Sequence, residues 1–139
     1  MTDAVKLIRS AELTDVAPYA YAASVAPGAR LVFTAGACPL DEAGEIGPRA
    51  DVAGQAEVVM RNLGVALAAA GATVTDVVKT TVYVASADRS DLVDAWDVVR
   101  AWFGDHDAPS TLLGVSVLGY PDQLVEVEAV AAVQRTDPD

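Results

Sequence analysis

Pro109–Val133, PSTLLGVSVLGYPDQLVEVEAVAAV, is the stretch on which the fold turns. It reads as two strands joined by the Gly119–Asp122 turn, a final hairpin. The second strand is apolar enough for burial, yet it carries Glu126 and Glu128 at alternate positions. A strand sends residues i and i+2 to one face, so the two carboxylates stand side by side. Val130 and Ala132 share that face.

Upstream, VVKTTVYVAS alternates with β-branched residues throughout and predicts a strand. Val78, Thr80, Val82 and Val84 take one face; Val77, Lys79, Thr81 and Tyr83 take the other. Between these strands lies a helix with the stripe Leu92, Trp96, Val99 and Phe103, opened by Asp88 with Asp91 three residues on and ended at Gly104. From Asp51 to Gly71 the spacing of Val52, Ala56, Val59, Met60, Leu63, Leu67 and Ala70 predicts a longer helix, with Asp51 as N-cap and Gly71 as stop. The acidic, glycine-containing Leu40–Pro48 is a surface turn. YAYAASV and RLVFTAGACP flank Ala26-Pro27-Gly28-Ala29 and form a first hairpin, preceded by an edge strand in Val5–Ser10.

The order is thus β-β-β-α-β-α-β-β, an α/β (α+β) arrangement in which both helices pack on one face of a mixed sheet. The opposite face, with Val130 and Ala132 beside Glu126 and Glu128 and with Thr81 and Tyr83 nearby, is left uncovered. An apolar patch of this kind predicts self-association.

A chain of 139 residues and 53% hydrophobic content fits one domain, 1–139, that buries about two thirds of its unfolded surface; residues 1–4 and 134–139 are expected to be flexible tails. No basic start precedes an apolar run and no apolar stretch is long enough for a bilayer, so a cytoplasmic location without membrane contact is expected. Cys38 is the one cysteine and His106 the one histidine, which excludes an internal disulfide and a clustered metal site; no metal and no cofactor is expected. Net charge is −11 and the pI is near 4.2, so phosphate backbones are repelled and nucleic acid is not an expected partner.

Five stretches in order, APYAYA, FTAGACP, DVAGQAEVVMRNLGVALAAAGA, DVVKTTVYV and PDQLVEVEAVA, resemble the RidA (YjgF) family, and the likeness spans nearly the whole chain. The resemblance implies a chorismate mutase-like fold and a homotrimer whose sheets form a central barrel, with ligand clefts between subunits. It also implies hydrolysis of reactive enamines and imines to keto acids and ammonia. Carried over position by position, the cleft tyrosine matches Tyr19, the glycine lining the cleft Gly36, and the water-positioning glutamate Glu126. The family's carboxylate-binding arginine has no match. Counting back from Glu126 without a gap puts Thr111 there. A guanidinium presents a charged fork, whereas threonine has one neutral hydroxyl, so amino-acid-derived imines are expected to bind poorly.

Each residue also has a plain structural reading. Glu126 either orients water beside a C=N bond or lies in a subunit interface. Glu128 either raises the pKa of Glu126 or pairs with Lys79. Tyr19 closes a cleft or is an ordinary strand-start aromatic, and Thr111 holds a neutral ligand or simply opens a strand. Cys38 fits a small packed side chain better than a nucleophile, having no basic partner in sequence. His106 fits a solvated loop better than a general acid, and Trp96 and Phe103 fit the core. Three functional classes follow: an imine-type hydrolase, a non-catalytic binding or regulatory trimer, and a ribonuclease. Three chains at −11 each would carry about −33, which disfavours the last.

Overall fold

The computed structural model describes residues 3–135. Its elements are β1 (Val5–Ile8), β2 (Ala22–Val25), β3 (Arg30–Phe33), α1 (Val52–Ala69), a 3-10 turn (Val74–Asp76), β4 (Val77–Val84), α2 (Arg89–Phe103), β5 (Ser110–Gly114) and β6 (Val125–Val133). This is the expected succession. A four-stranded sheet runs β3-β6-β4-β5, parallel between β4 and β5 and antiparallel elsewhere, while β1 and β2 form a separate antiparallel ribbon. No described helix is long and apolar enough to cross a membrane.

Both helices form where periodicity places them. Asp51 caps α1 by accepting the Gly54 N–H at 2.8 Å, and Ala56, Val59, Met60, Leu63 and Leu67 are fully buried. Gly71 takes φ 83° just beyond the end, a conformation that favours glycine. Asp88 caps α2 through the Ser90 N–H at 2.9 Å. Asp91 does not return a bond to the Asp88 N–H. It accepts from Ser86 Oγ at 2.7 Å, and that hydroxyl takes the Asp88 N–H at 3.0 Å. Helices and sheet share one core, including Val82, Val84, Val99, Val125, Val127, Ala129 and Ala131. Of the expected tails, residues 1, 2 and 136–139 lie outside the described residues; Ala4 is buried, and its carbonyl accepts the Ala26 N–H at 2.8 Å.

Neither expected hairpin forms. The Ala26–Ala29 turn is present, with Ala29 N–H on Ala26 O at 3.2 Å and Gly28 at φ 79°, but its arms join different ladders. β2 pairs with β1 from Val5↔Val25 to Ile8↔Ala22, and β3 pairs with β6 from Arg30↔Val133 to Phe33↔Val130. Turn chemistry fixes where a chain reverses, not which strand each arm meets. At the other end β4 lies between β5 and β6, so Val115–Leu124 is a crossing loop and not a hairpin turn. β4 and β6 are the two longest strands and carry the most buried residues. Placing them side by side in the middle of the sheet buries both and satisfies both their edges.

Two further corrections concern faces. A register irregularity between Val77 and Lys79 breaks the alternation at the start of β4, leaving Val77 buried and Val78 only half-buried. On the helix-free face Ala132 is buried, and the exposed apolar groups are instead Phe33 (71% exposed), Leu31 and Leu113. Phe33 sits opposite Val130, and Leu113 opposite Tyr83.

One polar side chain in the core organises the loops. Gln55 of α1 has no exposure, donates to Pro48 O and Asp122 O at 3.0 Å each, and accepts the Leu124 N–H at 2.7 Å. Its amide supplies both ends of the hydrogen bonding that the turn before β6 needs inside the protein. Gln55→Leu is expected to keep the volume and leave three part-buried backbone groups without their partner, destabilising the fold by about 3 kcal/mol. A fall in the urea midpoint at unchanged slope is the measurement.

Candidate functional site

Glu126 is half-buried on β6, opposite Tyr83 of β4. Its Oε1 accepts two hydrogen bonds, from Gln123 Nε2 at 3.1 Å and from the Cys38 thiol at 3.3 Å. Its Oε2 leans over Gly36. A Cβ on that residue would lie 2.2 Å from Oε2, so the close approach requires glycine.

The segment bearing Gly36 and Cys38 is held beside β6 by a two-way bridge, Ala37 N–H to Val127 O at 2.8 Å and Val127 N–H to Ala37 O at 3.2 Å. Asn62 of α1 donates to Cys38 O and Leu40 O at 2.9 Å each. Gln123 is buried; its Nε2 also donates to Val125 O at 3.1 Å, and its oxygen accepts the Tyr120 N–H at 3.2 Å. These partners fix which way the amide faces, because a flip would set NH2 against N–H.

Burial first, and then the hydrogen bond to Glu126 and its negative charge, push the Cys38 thiol up to about 11, with Gln123 acting the other way. A protonated thiol at neutral pH is a donor and not a nucleophile. This agrees with the expectation that Cys38 does not attack substrate, but it is no mere packing group.

Tyr19 and Thr111 meet elsewhere. They line a cavity of about 480 Å³ at the β5 edge of the sheet with Trp96, Ser110 and Leu112. The Tyr19 segment is anchored by Ala20 N–H on Asp107 O at 2.7 Å, and its ring lies edge-on to Tyr21 at 6.1 Å. Thr111 Oγ1 accepts from Lys79 Nζ at 2.6 Å. A cation therefore stands directly behind the hydroxyl.

The four carried-over positions thus fall into two pairs, Gly36 with Glu126 and Tyr19 with Thr111. Across the ladder Glu126 faces Tyr83, Thr81 faces Thr111, and β4 separates them. Two interstrand steps amount to about 10 Å. Within one chain the pairs do not share a pocket.

Glu128 does not pair with Lys79, which lies opposite Val130 and turns to Thr111. Glu128 accepts the Tyr83 hydroxyl at 2.7 Å instead, and this bond, with burial and the nearby carboxylates, raises the phenol above its ordinary range. His106 is not a solvated loop side chain. It is half-buried, with Nε2 on Val77 O at 2.7 Å and its ring near Phe103. Trp96 packs on the core as expected and also walls the Tyr19 cavity.

Sequence reasoning passed over Gln55, Asn62 and Gln123. A signal existed for the first two: amides two helical turns apart beside the apolar stripe of α1. For Gln123, only its place in front of a buried strand marked it.

A family profile described as Endoribonuclease L-PSP matches residues 10–133. A RutC family protein of Pyrococcus abyssi is 36% identical over 117 residues, 84% of this chain and 87% of that protein. The 2-iminobutanoate/2-iminopropanoate deaminase of Escherichia coli K12 is 36% identical over 104 residues, 73% of this chain and 78% of the relative. Among solved structures, the Rid family protein YyfB of Yersinia pestis aligns with TM-score 0.86 at 28% identity, covering 94% of this chain and 99% of that one. E. coli TdcF with bound serine aligns with TM-score 0.64 at 31% identity over 91% and 98%. Fold and sequence likeness together define a Rid-type α+β domain. The chain belongs to the Endoribonuclease L-PSP family, the RidA (YjgF) family of the sequence resemblance.

Two measurements check the site geometry. Gly36→Ala forces Glu126 aside and is expected to cost about 1–3 kcal/mol, as overpacking does. Gly64→Ala, in open space within α1, should instead add about 0.5–1 kcal/mol. Iodoacetamide alkylation of Cys38 should be slow at neutral pH and climb as the thiol ionises toward about 11; fast labelling at pH 7 would contradict the buried-donor geometry.

Proposed function

We propose that the chain works as a homotrimer that binds a small metabolite in clefts between subunits and hydrolyses an enamine, imine or related C=N substrate other than the usual amino-acid-derived imines. The observation that carries this reading is the Glu126 carboxylate, tethered through Oε1 and left with Oε2 over Gly36. The exposed Phe33, Leu31 and Leu113 support burial of the open face against other copies. The separation of Tyr19 and Thr111 from Glu126 by β4 supports a cleft completed by a neighbour. The sequence likeness to an E. coli imine deaminase supports the reaction class.

In this mechanism Glu126 takes a proton from water as the water oxygen bonds to the C=N carbon, whose π electrons move to nitrogen. Glu126 returns that proton to nitrogen to complete the carbinolamine, then takes the hydroxyl proton as the carbonyl forms and passes it to the departing nitrogen, so that the C–N bond breaks and ammonia leaves. Tyr19 and Gly36 shape the cleft, and Thr111 offers a hydroxyl. Its oxygen is already occupied by Lys79, so the hydroxyl meets substrate as a single O–H donor and not as a charged fork.

Ammonia release from 2-aminoacrylate, formed in place by a serine dehydratase, is expected to be slow, and release from a neutral aryl ketimine faster. Thr111→Arg should raise the first rate. A wild-type rate on 2-aminoacrylate equal to that of the E. coli deaminase would refute the specificity argument, and light scattering that shows a stable single chain would refute the trimer. A non-catalytic binding trimer is the second reading, favoured by the lack of an arginine at Thr111 and by a relative solved with serine bound. Glu126→Gln separates the two: lost turnover with ligand binding retained marks an enzyme, and unchanged function in cells marks a binder.

A further inference from the structure

We infer that Gln123 and Cys38 are positioning residues: by donating to the same oxygen of Glu126 they leave the other, above Gly36, as the one that meets water or ligand. The inference rests on the reading of Glu126 as the reacting carboxylate.

The geometry is one-sided. A carboxylate oxygen has about two acceptor sites, and Oε1 has a donor at each, Gln123 at 3.1 Å and Cys38 at 3.3 Å; the one thiol hydrogen has Gly36 O at 3.4 Å as its other acceptor, and the charged oxygen is the stronger of the two. Among the described residues nothing donates to Oε2. It lies over the bare backbone of Gly36, where a Cβ would come within 2.2 Å of it.

Neither donor is free to drift. Gln123 is 4% exposed, and both amide hydrogens and its oxygen are used. The residues on either side of it, Asp122 and Leu124, are bonded through their backbone to the buried Gln55. The Cys38 carbonyl is held by Asn62. Both donors are thus referenced to α1. This matters because catalytic efficiency depends on placement within fractions of an ångström.

A purely structural role for Gln123 would end at its own turn. Its bonds to Tyr120 N–H and Val125 O already close that turn, and the third, to Glu126, adds nothing to it. Cys38 adds a donor of unusual type. A thiol kept protonated by burial gives a weak neutral bond that orients the carboxylate without neutralising it.

The test uses the full chain and a neutral aryl ketimine as probe. Cys38→Val and Gln123→Leu remove a donor at similar volume; Cys38→Ser keeps one. The two donor-less variants should lose about tenfold or more in kcat, the cost of a lost hydrogen bond to a charged group, with KM within about twofold, while Cys38→Ser stays near wild type. Unchanged kcat in Cys38→Val, or an equal fall in Cys38→Ser, would overturn the inference. If wild type hydrolyses no imine, the proposed function fails, and the positioning is read without substrate from thiolate absorbance. The Cys38 midpoint, about 11, should fall toward the ordinary 9.0 in Glu126→Gln and rise in Gln123→Leu, because the two neighbours act on the thiol with opposite sign. A midpoint that moves in neither variant overturns it. Should Gln123→Leu fail to fold, Cys38→Val and Glu126→Gln carry both readouts.

Discussion

The carboxamide of Gln55 is the interaction on which the arrangement around Glu126 depends. It is wholly buried in an otherwise apolar helix stripe and binds three backbone groups from two loops. A buried amide is tolerated only when its donors and acceptor are matched. Matching them means that the loop before α1 and the turn before β6 must be placed together. Asn62, two helical turns on, does the same for the segment after β3. α1 is therefore both the main apolar cover of the sheet and the ruler that sets the site.

The sheet supplies the rest of the constraint. β6 has partners on both sides, so its two faces meet different fates. Val125, Val127, Ala129 and Ala131 go into the core beneath α1, and Glu126, Glu128 and Val130 turn the other way. The alternate glutamates are polar because their face has no helix over it. Glu126 is claimed by the loop that crosses beside it, and Glu128 by the tyrosine on the next strand.

The electrostatics of the open face follow a pattern of neutral donors next to carboxylates. Tyr83 donates to Glu128, and Gln123 and Cys38 donate to Glu126. The ammonium of Lys79, which lies on the same sheet, points instead at the Thr111 hydroxyl. None of these contacts is an ion pair. Among the described residues the ion pairs are Arg9–Asp107 and Arg49–Asp122, and neither includes Glu126 or Glu128. Neutral donors orient a carboxylate without placing a fixed cation against it.

Residue order alone determined the succession of elements, the two helices with their caps, the core stripe from Ala56 to Leu67, and the pairing of Glu126 with Glu128 on one face. These are local properties, set by periods of two and 3.6 residues and by capping chemistry within a few residues of each helix end. The motifs around Tyr19, Gly36 and Glu126 likewise marked the family. Only the tertiary structure decided which strands are neighbours, that β4 divides Thr111 from Glu126, that Lys79 turns to Thr111, and that Cys38 and Gln123 share one oxygen of Glu126. Those are contacts between residues distant in sequence, chosen by competition for burial and for hydrogen-bond partners across the whole chain, and no local pattern encodes the outcome of that competition.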